Sequence, residues 1–283
     1  MVKSRGSFTK APAMEQDKKG VPKVAVTLRI TITQMPDDQE EFGRQWMRLV
    51  RHVKRNESDL VLLPEMPFYA WFCAGPKFEK ETWNDAVGGH REWIQRLPEL
   101  GAPVVLTSRP VDRGGRRLNE GILWKEKSGT KGVHFKNYLP DEPGYYEARW
   151  YQRGGMPFMP FEVSQWKAGF LICSDLWSMP DARSYGKRGV ELLVAPRCTG
   201  LNIDKWLSGG KTAAVVAGAY CASSNRTGRH GVATFGGHGW VVGPDAEVLA
   251  LTSDNNPFVT VAIDRGRADR AKSTYPRDAL KPD

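Results

Sequence analysis

Three short apolar runs in this chain each stop at a single reactive polar side chain, and they constrain the fold more than anything else in it. Asp59–Leu63 (DLVLL) leads into Pro64-Glu65, the run Gly132–Phe135 (GVHF) ends at Lys136, and Ala168–Ile172 (AGFLI) ends at Cys173. Runs this short and this apolar suit buried strands better than helices. Between them lie segments of helical period. Asp37 and Asp38 open a predicted helix through Lys54 that carries Phe42, Trp46, Leu49 and Val53 on one face. Thr82 or Asn84 is expected to cap a second helix containing Trp93, Ile94 and Leu97.

Further strands are expected at Val24–Thr33, Pro103–Thr107, Leu192–Ala195 and Phe258–Ile263. Hairpins are expected from Asn119–Lys125 with Thr130–Phe135, from Phe161–Val163 with Ala168–Cys173, and from Trp240–Val242 with Glu247–Leu251. Asp181–Arg188 and the Ala-rich stretch Lys211–Ala222 read as helices. Pro140–Pro160, rich in Pro, Gly, Trp and Tyr, reads as a long functional loop. The alternation predicts one α/β domain with a mixed sheet or two packed sheets.

The formal charge of +9 raises the question of nucleic acid, but its distribution answers it. Residues 1–23 contribute +4 and residues 265–283 contribute +3, which leaves +2 for the body. The expected organisation is a disordered basic tail over 1–22, a catalytic domain over 23–264 and an extension over 265–283. Neither a nucleic-acid partner nor a membrane span is expected, since there is no run of about eighteen apolar residues. Cys73, Cys173, Cys198 and Cys221 are widely spaced and the five histidines are scattered. That pattern points away from disulfides and metal sites and toward a reduced, cytoplasmic setting.

A carboxylate, an ammonium and a thiol delivered to strand ends can meet in one cleft, because ligands gather beyond the carboxyl ends of strands in α/β sheets. The chemistry suits nucleophilic catalysis without a cofactor. A thiol attacks as thiolate, so Glu65 is expected to act as general base and later protonate the leaving amine. Lys136 and the backbone N–H of Ser174 are the candidate oxyanion donors. Taken singly, each residue has a plainer reading, as a buried structural thiol, a loop-end acid or a surface lysine.

These stretches resemble the nitrilase, or carbon–nitrogen hydrolase, superfamily. Leu-Leu-Pro-Glu65 is similar to its catalytic-Glu motif, His134-Phe135-Lys136-Asn137-Tyr138 to its catalytic-Lys motif, and Leu171-Ile172-Cys173-Ser174-Asp175 to its nucleophile motif. The resemblance covers residues 24–264. It implies a four-layer α-β-β-α sandwich, a Glu-Lys-Cys site between the sheets, and a homodimer or higher homo-oligomer. It also implies a second glutamate, matched best by Glu147 with Glu142 as the alternative, that orients Lys136 and binds the substrate nitrogen. Ser174-Asp175 follows the cysteine where nitrile-hydrolysing members carry Trp-Glu, as in the amidase and carbamoylase branches.

Tyr69 and Trp177 are candidate walls of an aromatic pocket, and Arg183 or Arg197 is a candidate grip for a substrate carboxylate. His238 reads as turn geometry. The expected function is hydrolysis of a linear carboxamide or N-carbamoyl compound through a covalent acyl-enzyme. Acyl transfer to an amine, nitrile hydrolysis and a non-catalytic interaction role are the alternatives.

Overall fold

A computed structural model of the protein describes residues 26–279. The tail expected over residues 1–22 lies outside them. In chain order the first half contains β1 (Thr27–Pro36), α1 (Gln39–Arg55), β2 (Leu60–Leu62), α2 (Lys80–Ile94), β3 (Val104–Arg113), β4 (Arg116–Lys125), β5 (Gly129–Phe135) and α3 (Glu147–Trp150). The second contains β6 (Phe161–Val163), β7 (Trp166–Phe170), α4 (Met179–Lys187), β8 (Leu192–Pro196), α5 (Ile203–Ala217) and β9 (Tyr220–His230). It ends with β10 (Ala233–Gly236), β11 (Trp240–Val242), β12 (Val248–Leu251), β13 (Phe258–Asp264) and α6 (Arg265–Ala271).

Two sheets form, in the orders β13-β1-β2-β3-β4-β5 and β12-β11-β9-β8-β7-β6. They are stitched where Gln34–Pro36 of β1 pairs in parallel with Asn225–Thr227 of β9. The pleat explains the layers, because alternate residues of a strand face opposite sides. Leu60 and Leu62 join Ile30, Ile32, Phe170, Ile172 and Val194 in the core shared by the two sheets. Val61 and Leu63 face the other way, onto Phe42, Trp46 and Leu49 of α1. On the far side, Leu193 and Cys221 meet Ala182 and Tyr185 of α4 and Ala213, Ala214 and Ala217 of α5. The result is a four-layer α-β-β-α sandwich.

Helix α1 starts as its sequence demands: Asp38 accepts from the Glu41 amide at 2.8 Å, and Glu40 and Glu41 occupy the first turn. Asp37 does not share the capping. It turns inward to Arg226. Helix α2 begins earlier than Thr82 or Asn84, at Lys80, after an extended Glu79 that makes no side-chain cap bond.

The helix expected over Lys211–Ala222 is corrected at both ends. It begins at Ile203, capped by Asn202, and ends where Gly218 takes a left-handed conformation with φ 59°. Tyr220, Cys221 and Ala222 belong to β9; all three pair with Leu192–Val194 on one side, and Cys221 and Ala222 pair with Val242 and Val241 on the other. Gly209 and Gly210 concealed the start of the helix, because glycine is a poor helix former. Packing requires them: a Cβ at Gly210 would lie 2.2 Å from the Trp240 ring.

Helices α4 and α5 touch through backbone. A Cβ on Gly186 would come within 2.4 Å of the Ala217 carbonyl oxygen and 2.7 Å of its Cα. Gly186→Ala should therefore destabilise the protein by about 1–3 kcal/mol, read as a lower urea midpoint, although alanine is the better helix former.

Candidate active site

The turn carrying Glu65 is built by hydrogen bonds from four directions. The Thr107 hydroxyl donates to the Pro64 carbonyl at 2.7 Å, and the Met66 amide donates to Ser108 Oγ at 3.1 Å. The Glu65 amide donates to the Arg197 carbonyl at 3.3 Å, and Arg226 Nε donates to the Glu65 carbonyl at 3.1 Å. Arg226 also donates to the carbonyls of Met66 and Tyr69 and to Asp37. A buried arginine–aspartate pair thus clamps the loop after β2. Met66 sits at φ 42°, which redirects the chain directly after the acid.

Lys136 and Cys173 are joined by one carboxylate, Asp175. Asp175 is buried and accepts from the amides of Asn137 at 3.1 Å and Tyr138 at 3.0 Å. It also pairs with His134 Nε2 at 2.9 Å. The residue two positions after Cys173 therefore holds the backbone just after the lysine and a side chain just before it. Cys173 opens a 3₁₀ turn, Cys173–Trp177, with φ 49°. Left-handed backbone costs a non-glycine residue roughly 1–2 kcal/mol. Here it breaks the line of the β7 strand at the sulfur.

The expected meeting of distant residues occurs. Lys136 Nζ donates to Glu65 Oε1 at 2.8 Å and to Glu147 Oε2 at 2.5 Å, and all three side chains are fully buried. Carboxylate oxygens of Glu65 and Glu147 and the sulfur of Cys173 lie within 4.8 Å of one another. Such a trio could ligate a metal ion, but the Lys136 ammonium bonded to both acids already supplies the cation there. Asn119 Nδ2 donates to Glu65 at 2.7 Å, and the Tyr151 hydroxyl donates to Glu147. Glu65 Oε2 and Glu147 Oε1 are buried and accept no hydrogen bond from the described residues. Glu147 comes from α3, inside the long loop, whereas Glu142 is exposed and bridges to Tyr145. The second carboxylate on Lys136 is therefore Glu147.

Burial, reinforced by the charges of Glu65 and Glu147, pushes the Cys173 thiol well above its ordinary range, against the opposing pull of Lys136. Burial alone would lower the Lys136 ammonium, but the negative charge of Cys173 once it ionises, and of Glu147 and Glu65, outweighs it and pushes it up. Burial also raises the Glu147 carboxyl to about 7, against Lys136. The resting sulfur is thus a thiol that needs a base, next to a lysine that stays charged.

The other expected residues fall around this centre in different ways. Ser174 Oγ donates to the Tyr138 carbonyl at 2.5 Å. Trp177 is 41% exposed, packs 5.4 Å from Trp206 and covers Gly209 of α5. The Tyr69 ring lies 6.5 Å from that of Phe72 and beside Gly89 of α2. Burial raises the Tyr145 hydroxyl, which lies near Cys198 and Cys173. Arg197 is buried, and its three nitrogens donate to Ser223 Oγ, Thr199 Oγ1 and the His238 carbonyl. His238 has φ 56°, the turn geometry expected of it. Asn119, Asp175 and Arg226 were not assigned roles from sequence; only Asp175 and Arg226 stood inside recognisable motifs.

A sequence model of the carbon-nitrogen hydrolase family matches residues 29–273. The chain belongs to the carbon–nitrogen hydrolase family. Among curated relatives, N-carbamoylputrescine amidase of Solanum lycopersicum is 28% identical over 238 residues, covering 76% of this chain and 78% of that one. Citrullinase of Francisella tularensis is 26% identical over 180 residues, covering 61% and 62%. A crystal structure of a carbon–nitrogen hydrolase from Helicobacter pylori G27 superposes with TM-score 0.80 at 24% identity, over 90% of this chain and 96% of that one. This carbon–nitrogen hydrolase thus acts on C–N bonds other than peptide bonds.

The Glu147 shift has a consequence for stability. A carboxyl raised from 4.5 to about 7 binds its proton more tightly in the folded than in the unfolded chain. Its contribution to stability is full below pH 4.5 and is lost as pH rises through about 7. Glu147→Gln should flatten that part of the stability–pH curve, measured as urea midpoints between pH 4.5 and 7.5.

Proposed function

We propose that the enzyme hydrolyses a linear carboxamide or N-carbamoyl compound through a thioester at Cys173. The observation that carries this reading is the buried cluster in which Lys136 Nζ bonds both Glu65 and Glu147 beside the sulfur. Glu65 takes the thiol proton as the sulfur attacks the substrate carbonyl carbon, and the C=O becomes an oxyanion. Lys136 and the Ser174 amide stabilise that oxygen; one well-placed donor contributes roughly 3–4 kcal/mol. The C–N bond then breaks, the nitrogen takes the proton from Glu65, and ammonia or an amine leaves. Water gives a proton to Glu65 and attacks the thioester, which releases the acid and restores the thiol. Glu147 keeps Lys136 in place and offers its free oxygen to the substrate nitrogen.

The amidase and carbamoyl-amidase relatives support this substrate class. A variant of the Nesterenkonia sp. AN1 amidase carries a covalent acetamide group from fluoroacetamide on its active-site cysteine, and its fold matches this one with TM-score 0.69 at 19% identity. Tyr138, Tyr145 and Trp177 are the proposed walls of the entrance. Four free cysteines support work in a reduced, cytoplasmic compartment. No helix among the described residues is long and apolar enough to cross a membrane. Exposed Trp177 and Leu201 support assembly into a homo-oligomer, which light scattering reads directly.

Cys173→Ala should fold and lose turnover by at least about 10³-fold on whichever compound the wild type cleaves in a panel of short carboxamides, N-carbamoylamines, citrulline and nitriles. Mass spectrometry of the wild type during turnover should show an acyl adduct on Cys173. Full activity in Cys173→Ala, or an adduct elsewhere, overturns the assignment. Adding an amine acceptor and analysing products separates hydrolysis from acyl transfer.

A further inference from the structure

We infer that Asn119 is a positioning residue that gives the two oxygens of Glu65 different tasks, an inference resting on Glu65 being the general base. Asn119 lies on β4 and is fully buried. Its backbone carbonyl accepts the Lys136 amide at 3.0 Å, and its side-chain Nδ2 donates to Glu65 Oε1 at 2.7 Å. Lys136 Nζ donates to that same oxygen at 2.8 Å. Two donors therefore occupy Oε1, while Oε2 is buried and accepts from none of the described residues.

A carboxylate oxygen stripped of water and of donors is the more basic of the pair, because hydrogen bonds to the charged form stabilise it. Oε2 is thus the atom that receives the Cys173 proton, and Oε1 is the anchor. Lys136 alone would not enforce this division. A carboxylate can turn about its last torsion and offer either oxygen to a single ammonium. The second donor, placed by the sheet next to the lysine, removes that freedom.

The amide does this without adding charge. An arginine in its place would compete with Lys136, and an aspartate would repel Glu65. Asn119 Oδ1 is itself buried without a hydrogen-bond partner. Turning the amide over would aim that oxygen at Glu65, so only one orientation is compatible with an ionised base. An apolar residue of similar size would avoid the orphaned oxygen. The retained amide therefore matches a task at Glu65 better than a packing role.

The charged and titratable groups facing Glu65 are Lys136 at the end of β5, Glu147 on α3, and Cys173 after β7. Cys73, Cys198 and the Tyr151 hydroxyl stand behind them, and Arg226 of β9 donates to the Glu65 carbonyl. Asn119→Leu leaves all of them in place and removes one donor. The probe is iodoacetamide: its carbon forms a bond to the Cys173 sulfur, iodide leaves, and the thiol proton passes to the base. The alkylation rate is followed against pH by mass spectrometry of the intact enzyme, with the peptide assigned to Cys173.

In Asn119→Leu the rate near neutrality should fall about 10- to 100-fold, and the acid limb of the profile should move to higher pH, because the charged carboxylate loses a donor. Asn119→Asp, which keeps the shape and adds negative charge, should move the limb further in the same direction. Circular dichroism establishes that each variant is folded; if the leucine variant is not, the aspartate variant decides. A rate loss with an unmoved acid limb in a folded variant would show a merely structural asparagine and overturn the inference. Glu65→Gln separates the two levels. If it alkylates like the wild type, the general-base reading falls. If it is slow and has lost the limb while Asn119→Leu keeps the wild-type profile, only the role of Asn119 falls.

Discussion

The structure depends on one interaction: a lysine ammonium, shielded from water, held between two carboxylates. Removing three charges from solvent costs several kcal/mol each unless they are paired and their remaining lone pairs are satisfied. Lys136 bonds both Glu65 and Glu147, and Asn119 and Tyr151 add further donors. Even so the cluster carries more negative than positive charge. Burial first, and that excess second, keep the nearby sulfur protonated and raise the Glu147 carboxyl to about 7, while the excess keeps the ammonium charged. It also leaves one bare oxygen on each acid. The proposed passage of a proton from thiol to leaving nitrogen rests on those features.

Much of the fold serves to hold this cluster against its own electrostatics. Asp175 binds the strand end that carries Lys136 to the turn that carries Cys173. Arg226 and Asp37 bind the loop that carries Glu65 to β9 and to the start of α1. The two sheets meet where β1 pairs with β9, so the same stitch that closes the sandwich brings these supports to the site. Arg197, buried and bonded to Ser223, Thr199 and His238, belongs to this scaffold.

The legibility of the sequence followed the range of the forces involved. Strands whose apolar period faces a core, such as Leu60–Leu62, Trp166–Phe170 and Leu192–Pro196, could be read because neighbouring residues carry the pattern. Helix α1 could be read for the same reason, with its cap as punctuation. The first half of helix α5 could not, because Gly209 and Gly210 are disfavoured locally and are set there by the rings of Trp177 and Trp240 packed against them. The long β9 strand was hidden because Tyr220–Ala222 follows an alanine-rich helix with only Gly218 to mark the break. The β3–β4 hairpin left a signal that was available: Gly114 and Gly115, at φ 56° and 73°, form its turn.

By itself the sequence determined which reactive groups stand at the ends of which strands, since the apolar period and the motifs at Glu65, Lys136 and Cys173 are local properties. It left Glu147 and Glu142 as alternatives and gave Asn119 no visible task. Tertiary structure decided those points. Asn119 and Lys136 reach Glu65 across 54 and 71 residues of chain. A hydrogen bond depends on separation in space within a few tenths of an ångström, which no spacing along a chain of that length encodes. Only the packed sheets bring those atoms to that distance.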